Sequence, residues 1–160
     1  MQSSEPVKPF TKWIGGKGQV VEQLARAVPR DFERYVEPMV GGGALFWHLA
    51  AKGRLRDRKV LLGDDNPWLI DAYKLVRDDP NDLIEILREL AAEYAKAPEA
   101  FFYDVRDAWN ADVRRDAARF LFLKKMSFNG LWRVNRKGEL NMPWGHCPSR
   151  RLVDEAALLT

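Results

Sequence analysis

The chain has 160 residues but only one cysteine, two histidines and no long apolar run. Each scarcity excludes something. Cys147 by itself closes no internal disulfide and makes no CxxC metal pair, and a lone cysteine without a placed base is most often inert. His48 and His146 are too few and too far apart in sequence to suggest a metal site, so no metal is expected. No apolar stretch reaches the roughly 18 residues of a spanning helix, and the polar start Met1-Gln-Ser-Ser-Glu-Pro6 has no signal-peptide core. A cytoplasmic protein without a membrane partner is expected. The common phosphate-binding fingerprints are missing too. Gly16-Lys17-Gly18 fails the P-loop pattern because a glycine follows the lysine, and Gly41-Gly42-Gly43 is not a G-x-G-x-x-G turn.

What is present is a globular composition, 46% apolar and 31% charged, at a length that supports one ordinary domain with its own core. Net charge is only +3, yet the isoelectric point of about 9.1 hides an uneven distribution. Between Arg114 and Arg151 stand ten Lys or Arg (Arg114, Arg115, Arg119, Lys124, Lys125, Arg133, Arg136, Lys137, Arg150, Arg151) against Asp116 and Glu139. Such a stretch either attracts a phosphate backbone or forms a solvated face.

The most informative segment is Arg34-Tyr-Val-Glu-Pro-Met-Val-Gly-Gly-Gly-Ala-Leu-Phe-Trp-His-Leu49, which reads as a short strand, a glycine turn and a helix start. Consecutive glycines admit conformations closed to other residues and leave amides uncovered beside whatever sits there. A tight loop and a ligand-binding turn both fit the three glycines alone. The continuation favours a ligand, because the apolar run Val60-Leu61-Leu62 ends in Gly63-Asp64-Asp65-Asn66-Pro67. In a doubly wound sheet an acidic residue at the end of the second strand hydrogen-bonds the ribose of a nucleoside held over the first turn.

Along the chain, Lys8-Pro-Phe-Thr-Lys-Trp-Ile-Gly-Gly-Lys-Gly18 gathers lysines, aromatics and glycines before a helix expected over 19–28. Trp13 suits stacking on a base or capping the core, and Lys12 and Lys17 suit an anion or solvent. Strands are expected at Arg34 to Glu37 and Lys59 to Leu62, parallel neighbours joined through a helix from Ala44 to Ala51. A helix from Pro67 to about Val76 follows, with Pro67 in its first turn. From Asp78 onward helices take over, at Pro80 to Ala95, Pro98 to Asn110 and Val113 to Met126; Leu83, Ile86, Leu87, Leu90 and Tyr94 recur at helical spacing. Two short strands, Leu131 to Val134 and Glu139 to Met142, are then expected around an Asn135-Arg-Lys-Gly138 turn.

Four segments together resemble the Dam-type (D12 class) adenine-N6 DNA methyltransferases. That family's order is a KWxGGK segment, an EPFxGxG turn, a DxN after the second strand, a helical insertion and an FNGLxRxNxxGxFNxPxG hairpin. Here they read Lys12-Trp-Ile-Gly-Gly-Lys17, Glu37-Pro-Met-Val-Gly-Gly-Gly43, Asp64-Asp-Asn66 and Phe128-Asn-Gly-Leu-Trp-Arg-Val-Asn-Arg-Lys-Gly-Glu-Leu-Asn-Met-Pro-Trp-Gly145.

The resemblance implies an α/β fold: a partial Rossmann-like methyltransferase sheet with an inserted helical DNA-binding subdomain and a β-hairpin. Residues 1–77 would be the S-adenosylmethionine-binding part, 78–145 the target-recognition part, and 146–160 the start of the return to the α/β part. It assigns S-adenosyl-L-methionine to Trp13, Lys17, Glu37, Pro38, Gly41, Gly42, Gly43 and Asp64, with Asp64 on the ribose. Double-stranded DNA would meet Lys12, Phe128, Asn129, Leu131, Arg133 and Pro143, with Phe128 as an intercalating wedge and Arg133 on a guanine edge. Lys124 and Lys125 are expected at phosphates.

One departure matters. The family carries an Asp-Pro-Pro-Tyr segment that binds the adenine amino group and stacks on the extruded base; this chain has none, so no catalytic residue is assigned. The later strands of the family sheet are missing as well, which implies an unpaired flank on the first strand and a sheet face open to water. Two readings follow. The chain is the cofactor- and target-binding part of an enzyme whose catalytic segment lies on missing sequence or a second polypeptide, or it is a non-catalytic DNA-binding module derived from one.

Overall fold

The computed structural model describes residues 9–108 and 113–159, apart from the side chains of Val113 and Arg114. They fall into two compact units that divide between Asn66 and Pro67.

The first unit is built on two parallel strands, β1 (Arg34–Glu37) and β2 (Lys59–Leu62), with Arg34 opposite Lys59 and Glu37 opposite Leu62. Before them comes α1 (Val21–Ala27), which begins two residues later than expected because Gly18–Val20 tightens into a 3₁₀ turn. Between them runs α2 (Ala44–Ala51). Tyr35, Ala25 and Leu49 form the buried centre, with Val28, Phe32, Leu45, Phe46, Leu55 and Leu62 packed around it. Arg54 closes the end of α1, donating to the carbonyls of Ala25 (3.0 Å), Val28 (3.2 Å) and Pro29 (2.6 Å), which the helix itself leaves unbonded.

Side chains alternate across a strand, so the face opposite Tyr35 carries Val36 and its register partner Leu61. They are 48% and 61% exposed. Among the described residues β1 pairs on one edge only. Parallel sheets are normally covered on both faces, and here, among the described residues, the Val36–Leu61 face is left exposed.

The second unit is helical: α3 (Pro67–Asp78), α4 (Pro80–Lys96), α5 (Pro98–Asp107) and α6 (Val113–Met126). Prolines open α4 and α5, where the missing amide would have no helical partner, and the Asp79 carboxylate accepts the Asp82 amide (3.2 Å) to cap α4. The end expected for α5 at Asn110 lies outside the described residues. α6 packs against α3, α4 and α5. It is therefore buried on almost every side, with Ala118, Phe120, Phe122, Leu123 and Met126 fully enclosed. No helix among the described residues is long and apolar enough to cross a membrane.

After α6 the two expected strands are replaced by looser structure. Residues 131–142 make one isolated antiparallel bridge, Val134 to Leu140, and a second bridge joins Ser127 to Trp144. Two backbone bonds still cross the limbs, from the Asn135 amide to the Glu139 carbonyl (2.8 Å) and from the Asn141 amide to the Arg133 carbonyl (3.0 Å), while Asn135 Oδ1 fills the turn by accepting the amides of Lys137 (2.9 Å) and Glu139 (3.0 Å). Those amides are satisfied without a ladder. Residues 147–153 and α7 (Glu155–Leu159) group with the helices, α7 against α4 and Arg88 paired to Glu155 at 2.6 Å. Of the segment 146–160 expected to begin a return to the α/β part, the described residues 146–159 group with the helical unit.

Candidate functional site

Two sets of residues stand out, one in each unit. In the first, the glycine turn is fixed from both sides. The Val40 amide donates to the Gly63 carbonyl (2.8 Å) and the Gly63 amide to the Glu37 carbonyl (2.9 Å), which ties the end of β1 to the end of β2. The Asp64 carboxylate then bridges the motifs, accepting the Gly41 amide on Oδ2 (2.9 Å) and the Asn66 amide on Oδ1 (3.1 Å). Gly41 and Gly43 lie in the left-handed region, at φ 50° and 67°, and Gly43 is the N-cap of α2.

Space as well as conformation requires glycine at 41, and crowds any side chain at 42. A Cβ at Gly41 would lie 2.7 Å from Cδ1 of Trp13, and one at Gly42 would lie 3.2 Å from the Thr11 carbonyl oxygen and 3.3 Å from Trp13 Cβ. The indole of Trp13 therefore rests directly on the turn. Residue type alone leaves Trp13 between stacking and core-capping, the family resemblance assigns it to the cofactor, and neither marks Thr11 as buried.

Glu37 ends β1 half-buried. Burial pushes its carboxyl above the ordinary range, opposed by hydrogen bonds from the Tyr35 hydroxyl (2.7 Å) and the Phe46 backbone. The same burial, reinforced by Glu37, raises the Tyr35 phenol. Residues 35 and 37 share a strand face, and this is the signal by which Tyr35 was detectable. Pro38 is exposed. Lys12 and Lys17 are exposed as well, Lys17 donating to the Gly15 carbonyl (2.7 Å).

In the second unit five predicted DNA-side residues cluster after α6. Phe128, Asn129 and Gly130 form a 3₁₀ turn, with Asn129 at φ 52° and Gly130 at φ 67°. The Phe128 amide donates to the Pro143 carbonyl (3.0 Å), and its ring is 49% exposed. The fully buried Ser127 donates from Oγ to the Leu131 carbonyl (2.9 Å). Exposed Arg133 is held against the opposite limb, Nε donating to Asn141 Oδ1 (2.8 Å) and Nη2 to the Asn141 carbonyl (3.0 Å). Trp132 anchors the segment on the helices, 4.7 Å from the Phe120 ring and 5.4 Å from Trp68 between centroids. Lys12, the sixth DNA-side candidate, is in the first unit.

Much of the basic run is committed internally. Lys124 is buried and donates to the Gly130 carbonyl, and burial pushes its ammonium down to about 8. Lys125 donates to the Leu152 carbonyl (3.1 Å), and Arg150 and Arg151 donate to the carbonyls of Lys125 and Val153 at 2.5 Å and 2.9 Å. Lys124 in particular cannot be the phosphate contact its charge suggested, because its head group is enclosed. Arg136 and Lys137 stay exposed at the hairpin tip. Among the described residues no group of three or more His, Cys, Asp or Glu is placed to hold a metal ion.

The family model for the D12 class N6 adenine-specific DNA methyltransferases matches residues 13–159, and the chain belongs to that family. Among its relatives, the Type II methyltransferase M.MjaIII of Methanocaldococcus jannaschii is 39% identical over 95% of this chain and 57% of its own length. The Type II methyltransferase M1.LlaDCHI of Lactococcus lactis subsp. cremoris is 37% identical over 93% of this chain and 51% of its own. A DNA adenine methylase of Haemophilus influenzae is 33% identical over 86% of this chain and 47% of its own. The chain thus spans about half the length of the curated relatives it matches.

Proposed function

We propose that this chain is the cofactor-binding and target-recognition part of an S-adenosylmethionine-dependent adenine-N6 DNA methyltransferase, acting with a base-holding segment carried on other sequence. The observation that carries the reading is the Asp64–Gly41 bond. It brings two motifs 23 residues apart in sequence together at the carboxyl ends of two parallel strands, the place where α/β sheets bind nucleoside ligands.

The donor set suits the cofactor. Each Asp64 oxygen accepts one amide, so lone pairs remain for ribose hydroxyls. Half-buried Glu37 offers a carboxylate to an ammonium group, and Trp13 an aromatic surface at the turn. When bound, S-adenosylmethionine supplies an electrophilic methyl group on a sulfonium centre. This chain's own work is to bind and orient: Asp64 and the Gly41–Gly43 turn hold the cofactor, while Phe128, Asn129, Leu131, Arg133 and Pro143, with Lys12, engage duplex DNA. The adenine amino group must be gripped by residues this chain does not carry, the Asp-Pro-Pro-Tyr segment of the family pattern. The names of the relatives favour a DNA-adenine-modifying enzyme of restriction-modification type.

Titration calorimetry tests the cofactor side. Weak binding of S-adenosylmethionine by the wild-type chain, further reduced in Asp64→Ala, supports the assignment. Tight binding that survives Asp64→Ala would remove the site, since lost hydrogen bonds to a charged acceptor cost roughly 1.5–3 kcal/mol. A non-catalytic DNA-binding module would bind DNA and give no cofactor signal in any combination with the remaining half.

A further inference from the structure

We infer that Lys124 is a positioning residue: its buried ammonium locks the Phe128–Gly130 turn into the one shape that presents Phe128 and Asn129 to DNA. The inference rests on the DNA-side reading above. Lys124 sits on the last turn of α6, 4% exposed, beside the fully buried Leu123. A Leu or Met there would fill the same space without the penalty for taking an ammonium out of water. What lysine adds is the charged donor, and that donor is on the Gly130 carbonyl.

The turn it reaches needs holding. Asn129 and Gly130 are consecutive left-handed residues; asparagine and glycine tolerate that region best, but two in succession make a sharp turn whose shape depends on what holds it. Inside the turn the Gly130 amide donates to Ser127 (3.2 Å) and the Leu131 amide to Phe128 (3.1 Å), both on carbonyl oxygens. From outside it is gripped at three points: Lys124 on the Gly130 carbonyl, Ser127 Oγ on the Leu131 carbonyl, and the Pro143 carbonyl on the Phe128 amide. Of these three grips only Lys124 brings a full charge, and charge-assisted hydrogen bonds are about twice as strong as neutral ones. The consequence is a half-exposed phenyl ring on a fixed mount, which lowers the ordering cost of inserting it between bases.

The test compares the 160-residue chain with its Lys124→Met and Phe128→Ala variants. Amide hydrogen exchange reads the lock directly. In Lys124→Met the Gly130 and Leu131 amides should exchange about tenfold faster or more, while those of residues 120–123 in α6 keep their protection. Selection from a randomised duplex DNA pool reads the consequence. Lys124→Met should lose base preference as Phe128→Ala does, yet keep the salt dependence of non-specific binding, a split that general destabilisation would not produce. Unchanged exchange at Gly130 and Leu131, or an intact preference in Lys124→Met beside a lost one in Phe128→Ala, overturns the inference while leaving the DNA reading in place. An intact preference in Phe128→Ala overturns the DNA reading, and the presentation role falls with it. Should Lys124→Met fail to fold, wild-type NMR decides: slowly exchanging Lys124 ammonium protons close to the Leu131 amide support the lock, and their absence rejects it.

Discussion

The two units bury their apolar residues very differently. In the helical unit Phe102, Phe120, Phe122, Leu83, Leu123, Met126 and Met142 are fully enclosed. The βαβ unit encloses Tyr35, Ala25, Leu49 and Val40, and leaves Val36, Val60, Leu61 and Met39 at 40–66% exposure. The helical unit encloses its apolar residues; the βαβ unit, among the described residues, leaves one sheet face exposed. Parallel sheets are normally covered on both faces, so the contrast singles out the Val36–Leu61 face as the unusual surface of the molecule.

The largest break in that comparison is expected inside the helical core. Phe122→Ala should cost about 3–5 kcal/mol, read as a lowered denaturant midpoint, because Phe122 is fully enclosed and packed against Tyr94, Phe101 and Phe102. Next comes Arg133→Ala. Its side chain is exposed, so folding stability should hold while affinity for a preferred duplex falls by roughly 1–3 kcal/mol and preference relaxes at one base pair. Equal loss on every sequence in a binding assay would make Arg133 a phosphate contact. The smallest effect is expected on the bare sheet face, where Val36→Lys should change stability by less than about 0.5 kcal/mol. A large loss in the same denaturation assay would mean that this face is already covered.

The alternation and glycine signals of the first unit were strong enough to place β1, α2 and β2 at their observed bounds, because a βαβ unit leaves few ways to arrange them. The filling of the glycine turn was not readable, since nothing in the spacing of Trp13 and Gly41 says that an indole will lie on it. The hairpin misled for a related reason. Its residues have strand character and two backbone bonds cross its limbs, but Asn135 captures the amides of Lys137 and Glu139 and Arg133 binds Asn141, so side chains take over much of the pairing. Charge counting failed at Lys124. A basic residue reads as surface unless its helix is enclosed all round, and the enclosure of α6 depends on α3, α4 and α5 arriving from elsewhere in the chain.

The central claim is that this chain binds cofactor and target but lacks the residues that hold the adenine amino group. Transfer of labelled methyl groups from S-adenosylmethionine to duplex DNA tests it most directly, using the purified chain with and without a second polypeptide carrying further strands and an Asp-Pro-Pro-Tyr segment. No incorporation by the chain alone and restored incorporation with the complement is the predicted result, because positioning supplies much of the rate in such a transfer. Robust methylation of adenine by the 160-residue chain by itself would contradict the account.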